Sequence, residues 1–153
     1  MVLGTIREKR IFHKGLHMCQ ANMSDLDTIV SILATDSGNV ESVKLWIGKC
    51  LEEPTWRFYL ATLDGKPLGC LRLEDMGDQV GIYAFEVRLG YRGLGYGRQM
   101  LEEAIRIIRA KTQKRIMLDV ETDNANAIGL YLSCGFEIKT TYDYYGQGYR
   151  VRV

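Results

Sequence analysis

Residues 87 to 105 read VRLGYRGLGYGRQMLEEAI, and this stretch decides the fold. Glycines stand at positions 90, 93, 95 and 97, and an apolar-periodic run follows them directly. Glycine costs backbone entropy and packs nothing, so a cluster of glycines indicates unusual backbone angles or the close approach of another molecule. The stretch therefore predicts the end of a strand, then a glycine-rich loop, then a helix.

The helix after the loop is predicted from a single apolar stripe, which comprises Met100, Leu101, Ala104, Ile105 and Ile108. The first N–H groups of a helix have no partner within it, and the helix dipole places partial positive charge there. Glycines let a phosphate approach the backbone closely. The loop is therefore interpreted as a phosphate-binding site at the start of a helix.

Two common phosphate-binding fingerprints do not match this loop. A dinucleotide fingerprint that uses Gly93 and Gly95 needs a third glycine where Arg98 stands. A Walker A motif that begins at Gly90 lacks the Lys-Ser or Lys-Thr pair that should follow Gly95. A generic nucleotide-binding module is therefore disfavoured, and a glycine turn without any ligand is the structural alternative.

The residues before the loop alternate with period two. Three runs, WRFYLATL, LGCLRLED and VGIYAFEVR, are separated by the turns DGKP and MGDQ, which predicts a three-stranded antiparallel meander. Upstream, LHMCQA indicates a strand, and two helices follow it, the first with Ser24 as its expected N-cap.

The residues after the loop helix complete the order of elements. RIMLDVE predicts a strand, and the next helix is expected to be capped by Thr122 or Asp123 and to end at Gly135. FEIKTTYDYY and YRVRV predict two final strands. The order β-α-α-β-β-β-α-β-α-β-β predicts an α+β fold with a mixed central sheet, whose strands on either side of the loop helix are parallel.

The composition is that of an ordinary globular domain. The 153 residues suffice for one domain with a core, and a net charge of +1 argues against a protein that coats nucleic acid or an anionic membrane. No apolar run approaches the roughly 18 residues of a membrane span, and the first 15 residues do not resemble a secretory signal. We expect a single domain over residues 16–153 and leave the role of residues 1–15 open.

The cysteines and histidines argue against a metal site. The four cysteines are far apart without a CxxC pair, and the two histidines both stand near the start. Structural zinc is therefore not expected, and the pattern favours reduced thiols in a cytoplasmic protein.

Two signatures in the chain resemble those of the GCN5-related N-acetyltransferase (GNAT) family. RGLGYG at 92–97 fits Gln/Arg-x-x-Gly-x-Gly/Ala, and NANAIGLYLSCGF at 124–136 fits Asn, then Ala or Ile, then Leu-Tyr, then Gly-Phe. They occur in the expected order and separation, and the resemblance covers nearly the whole chain. It implies the GNAT fold, with a splayed pair of parallel strands, and the transfer of an acetyl group from acetyl-CoA to a primary amine.

The resemblance also implies a binding site for acetyl-CoA. The pyrophosphate lies on backbone N–H groups of the glycine loop, and the pantetheine arm slots between the splayed strands beside Phe85 and Val87. Asn124 contacts the pantetheine or diphosphate region, although its position also suits a helix cap. The implied acetyl-CoA-binding residues are Phe85, Val87, Arg92, Gly93, Leu94, Gly95, Tyr96, Gly97, Arg98, Asn124 and Tyr131.

Tyr131 is the candidate catalytic acid. It falls on the tyrosine of the Leu-Tyr pair, and a phenol with a pKa of about 10 holds a proton for the departing thiolate at neutral pH. The alternative role is core packing, because Tyr131 shares one helix face with Ala127 and Ile128.

Two carboxylates are candidates for the catalytic base. In one branch of the family, a glutamate at the position that matches Asp119 acts as the base. The side chain of Asp119 is one carbon shorter than that glutamate. Glu86, on the strand before the loop, is the second candidate. A water relay without any side-chain base is the third alternative.

The acceptor is expected to be a small-molecule or peptide amine, with no nucleic acid and no membrane as partner. The resemblance places acceptor contacts in the first two helices and in the last hairpin, which is rich in tyrosine. Whether the chain forms a homodimer is left open.

The rival hypothesis is a non-catalytic sensor or regulatory module that binds acyl-CoA with the same fold. The candidate acid at Tyr131 argues against that rival, since a sensor needs only the phosphate loop.

Overall fold

The computed structural model describes residues 15–34, 39–143 and 149–152. Residues 1–14 of the predicted N-terminal segment lie outside the described residues, as do Tyr144 and Tyr145 of the last hairpin. The strands and helices are β1 Leu16–Gln20, α1 Leu26–Leu33, α2 Val40–Glu52, β2 Trp56–Leu63, β3 Lys66–Asp75, β4 Gln79–Val87, α3 Tyr96–Arg109, β5 Arg115–Glu121, α4 Ala125–Ser133, β6 Thr140–Asp143 and β7 Tyr149–Arg152. Short 3-10 turns over Met23–Asp25 and Leu89–Tyr91 precede α1 and α3.

Within the described residues, the strands form one sheet in the order β1-β2-β3-β4-β5-β7-β6. The neighbours β4 and β5 are parallel, and every other neighbouring pair is antiparallel. The predicted order of elements, the antiparallel meander and the parallel step across the loop helix are thereby confirmed. The fold is of the α+β class with a mixed sheet.

Helices cover both faces of the sheet and create two core clusters. The stripe of α3 packs on one face, where Met100, Leu101 and Ala104 are fully buried. The other face is covered by α1 and α2, whose Ile29 and Ile47 are also fully buried. Because α3 starts where β4 ends, this packing fixes the glycine loop at the C-terminal end of the parallel strands.

Several boundaries differ from the sequence predictions. Ser24 is not the cap of α1; Asn22 accepts the Ser24 N–H and forms a capping box with the 3-10 turn. Asn124 caps α4 instead of Thr122 or Asp123, because its side chain reaches the N–H of Ala127. The strand predicted over 136–145 is shorter, starting at residue 140. Gly135 follows α4 with φ +95°, so the predicted end of that helix is confirmed.

Candidate active site

The parallel strands β4 and β5 pair over only part of their length. Their register runs from Gln79 opposite Arg115 to Ile82 opposite Leu118. Beyond that point β4 continues to Val87, while the remainder of β5 pairs with β7 on its other side. The two strands therefore open at their C-terminal ends, as the sequence resemblance implied.

A β-bulge in β4 accompanies the opening. Cys70 of β3 lies opposite Glu86, whereas Arg72, two residues along, lies opposite Tyr83, so β4 contains one extra residue. Ala84 adopts φ +49° within this bulge, a left-handed conformation that is unusual for a non-glycine residue. A bulge bends its strand and re-aims the backbone. It was not predicted, because alternation alone does not reveal an extra residue.

Gly69 of β3 lets the open end of β4 pack tightly on α3. A Cβ atom at Gly69 would lie 2.6 Å from the carbonyl oxygen of Glu86 and 2.9 Å from the sulfur of Met100. The absence of a side chain thus allows helix and strands to approach each other beside the bulge. A glycine inside a strand pattern was the signal that could have indicated this close approach.

A cavity of about 230 Å³ occupies the opening between the strands. Residues from β4, β5 and α4 line it, which include Tyr83, Phe85, Asp119, Glu121, Asn124 and Tyr131. Four of the residues predicted from the resemblance, Phe85, Asp119, Asn124 and Tyr131, are thus brought to one place. Tyr83 and Glu121 were not singled out from the sequence.

Tyr131 projects from α4 into the apolar core beside the cavity. Its ring contacts those of Phe85 and Phe136 at centroid distances of 6.3 and 6.2 Å, and the residue is 8% exposed. Burial, with the charge of Glu86 as a second cause, raises the pKa of the Tyr131 phenol to about 12. The phenol therefore keeps its proton throughout the neutral range. The Tyr131 side chain therefore both packs in the core and lines the cavity.

The two candidate carboxylates have different environments. Asp119 lies in the cavity wall, on the stretch of β5 just beyond its pairing with β4. Glu86 forms an ion pair with Arg92, whose guanidinium nitrogen lies 2.5 Å from the carboxylate. The side chain of Glu86 is 37% exposed, so it is not a carboxylate buried between strands.

The glycine loop presents free backbone at the start of α3. Gly93 and Gly95 adopt φ +76° and +88°, and a Cβ atom at either would meet nothing within 4 Å. The first intrahelical bond joins the N–H of Gln99 to the carbonyl of Gly95, at 3.2 Å. The N–H groups of the residues between them therefore have no acceptor within the helix. This open, positively polarised backbone fits a pyrophosphate.

The side chains of the two loop arginines brace the loop. Arg92 donates from Nε to the carbonyl of Val87 at 2.7 Å, and its own N–H bonds to Leu89. Arg98 reaches across to α4, where it contacts the Ser133 hydroxyl and, at 3.3 Å, the sulfur of Cys134. Two of the guanidinium nitrogens of Arg92 thus have partners within the chain, and contact of Arg92 with a phosphate stays a prediction.

Asn124 has a structural role of its own. Its side-chain oxygen accepts a hydrogen bond from the N–H of Ala127 at 3.2 Å and caps α4, and the residue also lines the cavity. The capping alternative is therefore realised, and contact with a ligand remains a prediction.

Among the described residues, no group of His, Cys, Asp and Glu is arranged to hold a metal ion. In the same part of the chain, no helix is long and apolar enough to cross a membrane.

Comparison with known proteins agrees with this geometry. The model of the acetyltransferase (GNAT) family matches residues 23–136. The chain belongs to this family. The predicted family is thus confirmed, and the chain is an enzyme of the N-acetyltransferase class.

Individual relatives resemble this chain in sequence or in fold over most of their length. A candidate [ribosomal protein bS18]-alanine N-acetyltransferase of Bacillus subtilis (strain 168) is 24% identical over 115 residues, which are 75% of this chain and 76% of that protein. The crystal structure of the ribosomal-protein-S18-alanine N-acetyltransferase from Escherichia coli aligns with a TM-score of 0.77 and 22% identity over 90% of each chain. The PaiA N-acetyltransferase from Thermoplasma acidophilum, in complex with coenzyme A, aligns with a TM-score of 0.74 and 16% identity over 90% of this chain and 97% of that chain.

Proposed function

We propose that this enzyme transfers the acetyl group of acetyl-CoA directly to a primary amine. The observation that carries the proposal is the continuity of the open strand pair with the glycine loop. β4 lines the cavity at Phe85 and then leads through Arg92 into the free N–H groups at the start of α3. The family uses acetyl-CoA, and one structural relative is a complex with coenzyme A.

The loop would hold the pyrophosphate through the N–H groups from Gly93 to Arg98. Arg92 supports this loop from behind, because it ties Glu86 and the Val87 carbonyl to the start of the loop. Arg98 supports it from the other side through its contacts with α4. The backbone of β4 at Phe85 and Val87 flanks the pantetheine arm, with Asn124 across the opening.

Two side chains at the cavity handle the protons. Bound acetyl-CoA would supply the thioester carbon at which the amine nitrogen forms its new bond, while the C–S bond breaks. Asp119 accepts the proton of the incoming ammonium, directly or through a water molecule. Tyr131 donates its proton to the departing sulfur, since its high pKa keeps it protonated until that step, and it regains a proton from the nitrogen, which loses its second proton as it becomes an amide. Glu86 is the weaker candidate for the base, because Arg92 neutralises its charge.

The first acceptor to test is the N-terminal amine of a protein. Two of the relatives above carry the name of a ribosomal-protein alanine N-acetyltransferase. A lysine side chain, a polyamine and an aminoglycoside-type amine are the other acceptors. We place the enzyme in the cytoplasm, which is consistent with its free cysteines.

A thiol-release assay tests the enzyme against the sensor hypothesis. Acetyl-CoA is incubated with a peptide that begins with alanine, the same peptide with a blocked N-terminus, and spermidine. We expect release above background hydrolysis with at least one amine, and loss of that release in Tyr131→Phe. Binding of acetyl-CoA without acceptor-dependent release across the panel would favour the sensor.

A melting experiment tests the ligand. Acetyl-CoA should raise the melting temperature by mass action, and NAD or ATP should raise it far less. A larger rise with NAD would contradict the assignment of the loop to acetyl-CoA.

A further inference from the structure

A second cavity, of about 460 Å³, lies at the C-terminal end of α3, far from the glycine loop at its N-terminal end. α3 has 14 residues, so its two ends are about 20 Å apart. β1 ends at Gln20, opposite Tyr59, so the first residues of β2 pair with β3 on one side and have no strand partner on the other. Its volume falls within the usual range for small-molecule sites, roughly 300–1,000 Å³.

The wall of this cavity on the core side is apolar. Leu73 of β3, Val80 of β4 and Ile108 of α3 line it, and each is less than a tenth exposed. These side chains belong to the same cluster that packs under α3. An apolar wall of this kind favours the hydrocarbon part of a ligand.

Other residues of the lining carry positive charge. Arg57 and Lys111 line the cavity, are exposed, and form no ion pair with any described residue. Lys114 is neutralised by Asp75, whose carboxylate lies 2.9 Å from its ammonium. The lining therefore contains three cations, Arg57, Lys111 and Lys114, against one carboxylate, Asp75, whose charge also acts on Arg57. This excess of positive charge favours an anionic ligand.

Tyr59 adds a hydroxyl donor to the lining. It lines the cavity and is 6% exposed, and its hydroxyl forms no hydrogen bond with any described residue. Burial raises the pKa of the Tyr59 phenol, against the opposing effect of Arg57, so the group remains a donor at neutral pH. The hydroxyl is not among the buried atoms that lack a partner, so it is accessible from the cavity and can donate to an acceptor atom of a ligand.

We propose that this cavity binds a small organic monoanion, a carboxylate with an apolar chain or ring. The carboxylate lies between Arg57 and Lys111 and accepts a hydrogen bond from Tyr59. The apolar part lies against Leu73, Val80 and Ile108. The site is separate from the cavity between β4 and β5, and it does not depend on the reaction proposed for that cavity.

The test titrates the ¹⁵N-labelled full chain with sodium hexanoate and follows amide shifts. We expect saturable shifts clustered at residues 54–59 and 107–114, with a Kd below about 10 mM. Hexylamine and 1-hexanol serve as probes with the same chain and a different head group. Both should bind at least about tenfold more weakly, because neither supplies a negative charge.

Variants locate the contacts. The double variant Arg57→Gln/Lys111→Gln should weaken hexanoate binding about tenfold or more, and Tyr59→Phe, which keeps the ring, should weaken it about tenfold. Lys49→Gln is the matched control, because Lys49 is an exposed lysine on α2, which covers the other face of the sheet. It should leave binding unchanged.

Three outcomes overturn the proposal. The first is the absence of saturable shifts below about 10 mM hexanoate. The second is equal binding of hexylamine or 1-hexanol. The third is unchanged hexanoate affinity in both the double variant and Tyr59→Phe. Amide shifts confined to the glycine loop would also overturn the proposal, since they would report hexanoate binding at a different site.

Discussion

The two halves of the β4–β5 pair differ although they belong to the same two strands. From Gln79 to Ile82, β4 is bonded to β5 and the residues pack as an ordinary parallel sheet. From Tyr83 onwards the strands separate, and a cavity takes the place of the ladder. The closed half is a structural core, and the open half contains the candidate site.

The cause of the difference lies in β4 and its other neighbour. The bulge at Ala84 turns the strand while it remains bonded to β3, and Gly69 allows the turned strand to pack under α3. Backbone groups on the open side of β4 thus face a cavity instead of β5. A strand whose open side faces a cavity at one defined place provides a site for an extended ligand.

The largest effect should come from Tyr131, at the wall of the open half. Tyr131→Phe keeps the ring contacts with Phe85 and Phe136 and removes the proton. Turnover should fall by about 10²- to 10⁴-fold, the usual contribution of a positioned acid, with acetyl-CoA affinity nearly unchanged. Steady-state thiol release at saturating acetyl-CoA measures this. Wild-type turnover with chemistry as the rate-limiting step would leave Tyr131 as a packing residue only.

The second effect distinguishes the two carboxylates. Asp119→Asn should lower turnover about 100-fold and weaken acetyl-CoA binding little, because Asp119 faces the cavity. Glu86→Gln should have a smaller effect on turnover, because Glu86 is paired with Arg92. Parallel pH–rate profiles of the two variants provide the measurement. If the order is reversed, Glu86 is the base, and if neither variant is impaired, water carries the proton.

The extent to which the sequence predicted these features depends on whether their cause is local. Local signals in consecutive residues predict three of the features. A glycine-rich turn indicates the loop, a helical period indicates the apolar stripe of α3, and a short motif indicates Tyr131. The contacts of Arg92 with Glu86 and with the Val87 carbonyl could not be predicted from the sequence, since they depend on where β4 ends in space. Ala84 was missed for the same reason, because its φ follows from the register between β3 and β4.

Asn124 and Gly69 illustrate intermediate cases. Three consecutive residues, Thr122, Asp123 and Asn124, are all good caps, and only the backbone path after β5 decides among them. Gly69 was visible as a glycine within a strand, but the atoms that crowd it come from β4 and α3. Packing between distant segments selects one of the options that the local sequence allows.

The third prediction concerns alkaline stability. The folded pKa of Tyr131 is about 12, above the unfolded value of about 10, so the folded state favours the protonated phenol. This contribution is fully present below pH 10 and is lost as the pH rises towards 12. Wild type should therefore lose about 2 to 3 kcal/mol more unfolding free energy than Tyr131→Phe between about pH 9 and about pH 12.

Urea unfolding of the two proteins at both pH values provides that measurement. Tyr59, whose pKa burial also raises, is present in both proteins, so its contribution cancels in the comparison. Equal losses of stability in the two proteins would show that the phenol of Tyr131 is hydrated in the folded state.

The fourth prediction compares glycines at the two ends of β4. Gly95 in the loop and Gly77 in the turn before β4 have φ +88° and +91°, and a Cβ atom would meet nothing within 4 Å at either. Gly95→Val and Gly77→Val should lose similar stability, about 1–3 kcal/mol, from the same backbone strain. Only Gly95→Val should weaken acetyl-CoA binding, by about tenfold or more, since its side chain projects where the pyrophosphate would lie. Calorimetric affinities that fall equally in both folded variants would contradict a phosphate site in the loop.

The smallest effect is expected at Ala84 itself. Ala84 has φ +49°, and Asp64, in the turn between β2 and β3, has φ +50°. Glycine removes the cost of a left-handed Cβ, about 1–2 kcal/mol, and adds chain entropy to the unfolded state, about 0.5–1 kcal/mol. Ala84→Gly and Asp64→Gly should therefore both be neutral or more stable by up to about 1 kcal/mol.

Ala84→Gly and Asp64→Gly should differ in their affinity for acetyl-CoA, although their changes in unfolding free energy are similar. A glycine at position 84 gives the bulge a wider range of backbone dihedral angles. The open half of β4 is then less preorganised in the conformation that binds the ligand. Ala84→Gly should therefore raise the Kd for acetyl-CoA a few-fold, while Asp64→Gly, outside the opening, should leave it unchanged. Denaturant unfolding and calorimetry on the same preparations give both quantities. Unchanged affinity in a stabilised Ala84→Gly protein would show that β3 and α3 alone hold the opening, and that the left-handed alanine is a consequence of the bulge without a part in binding.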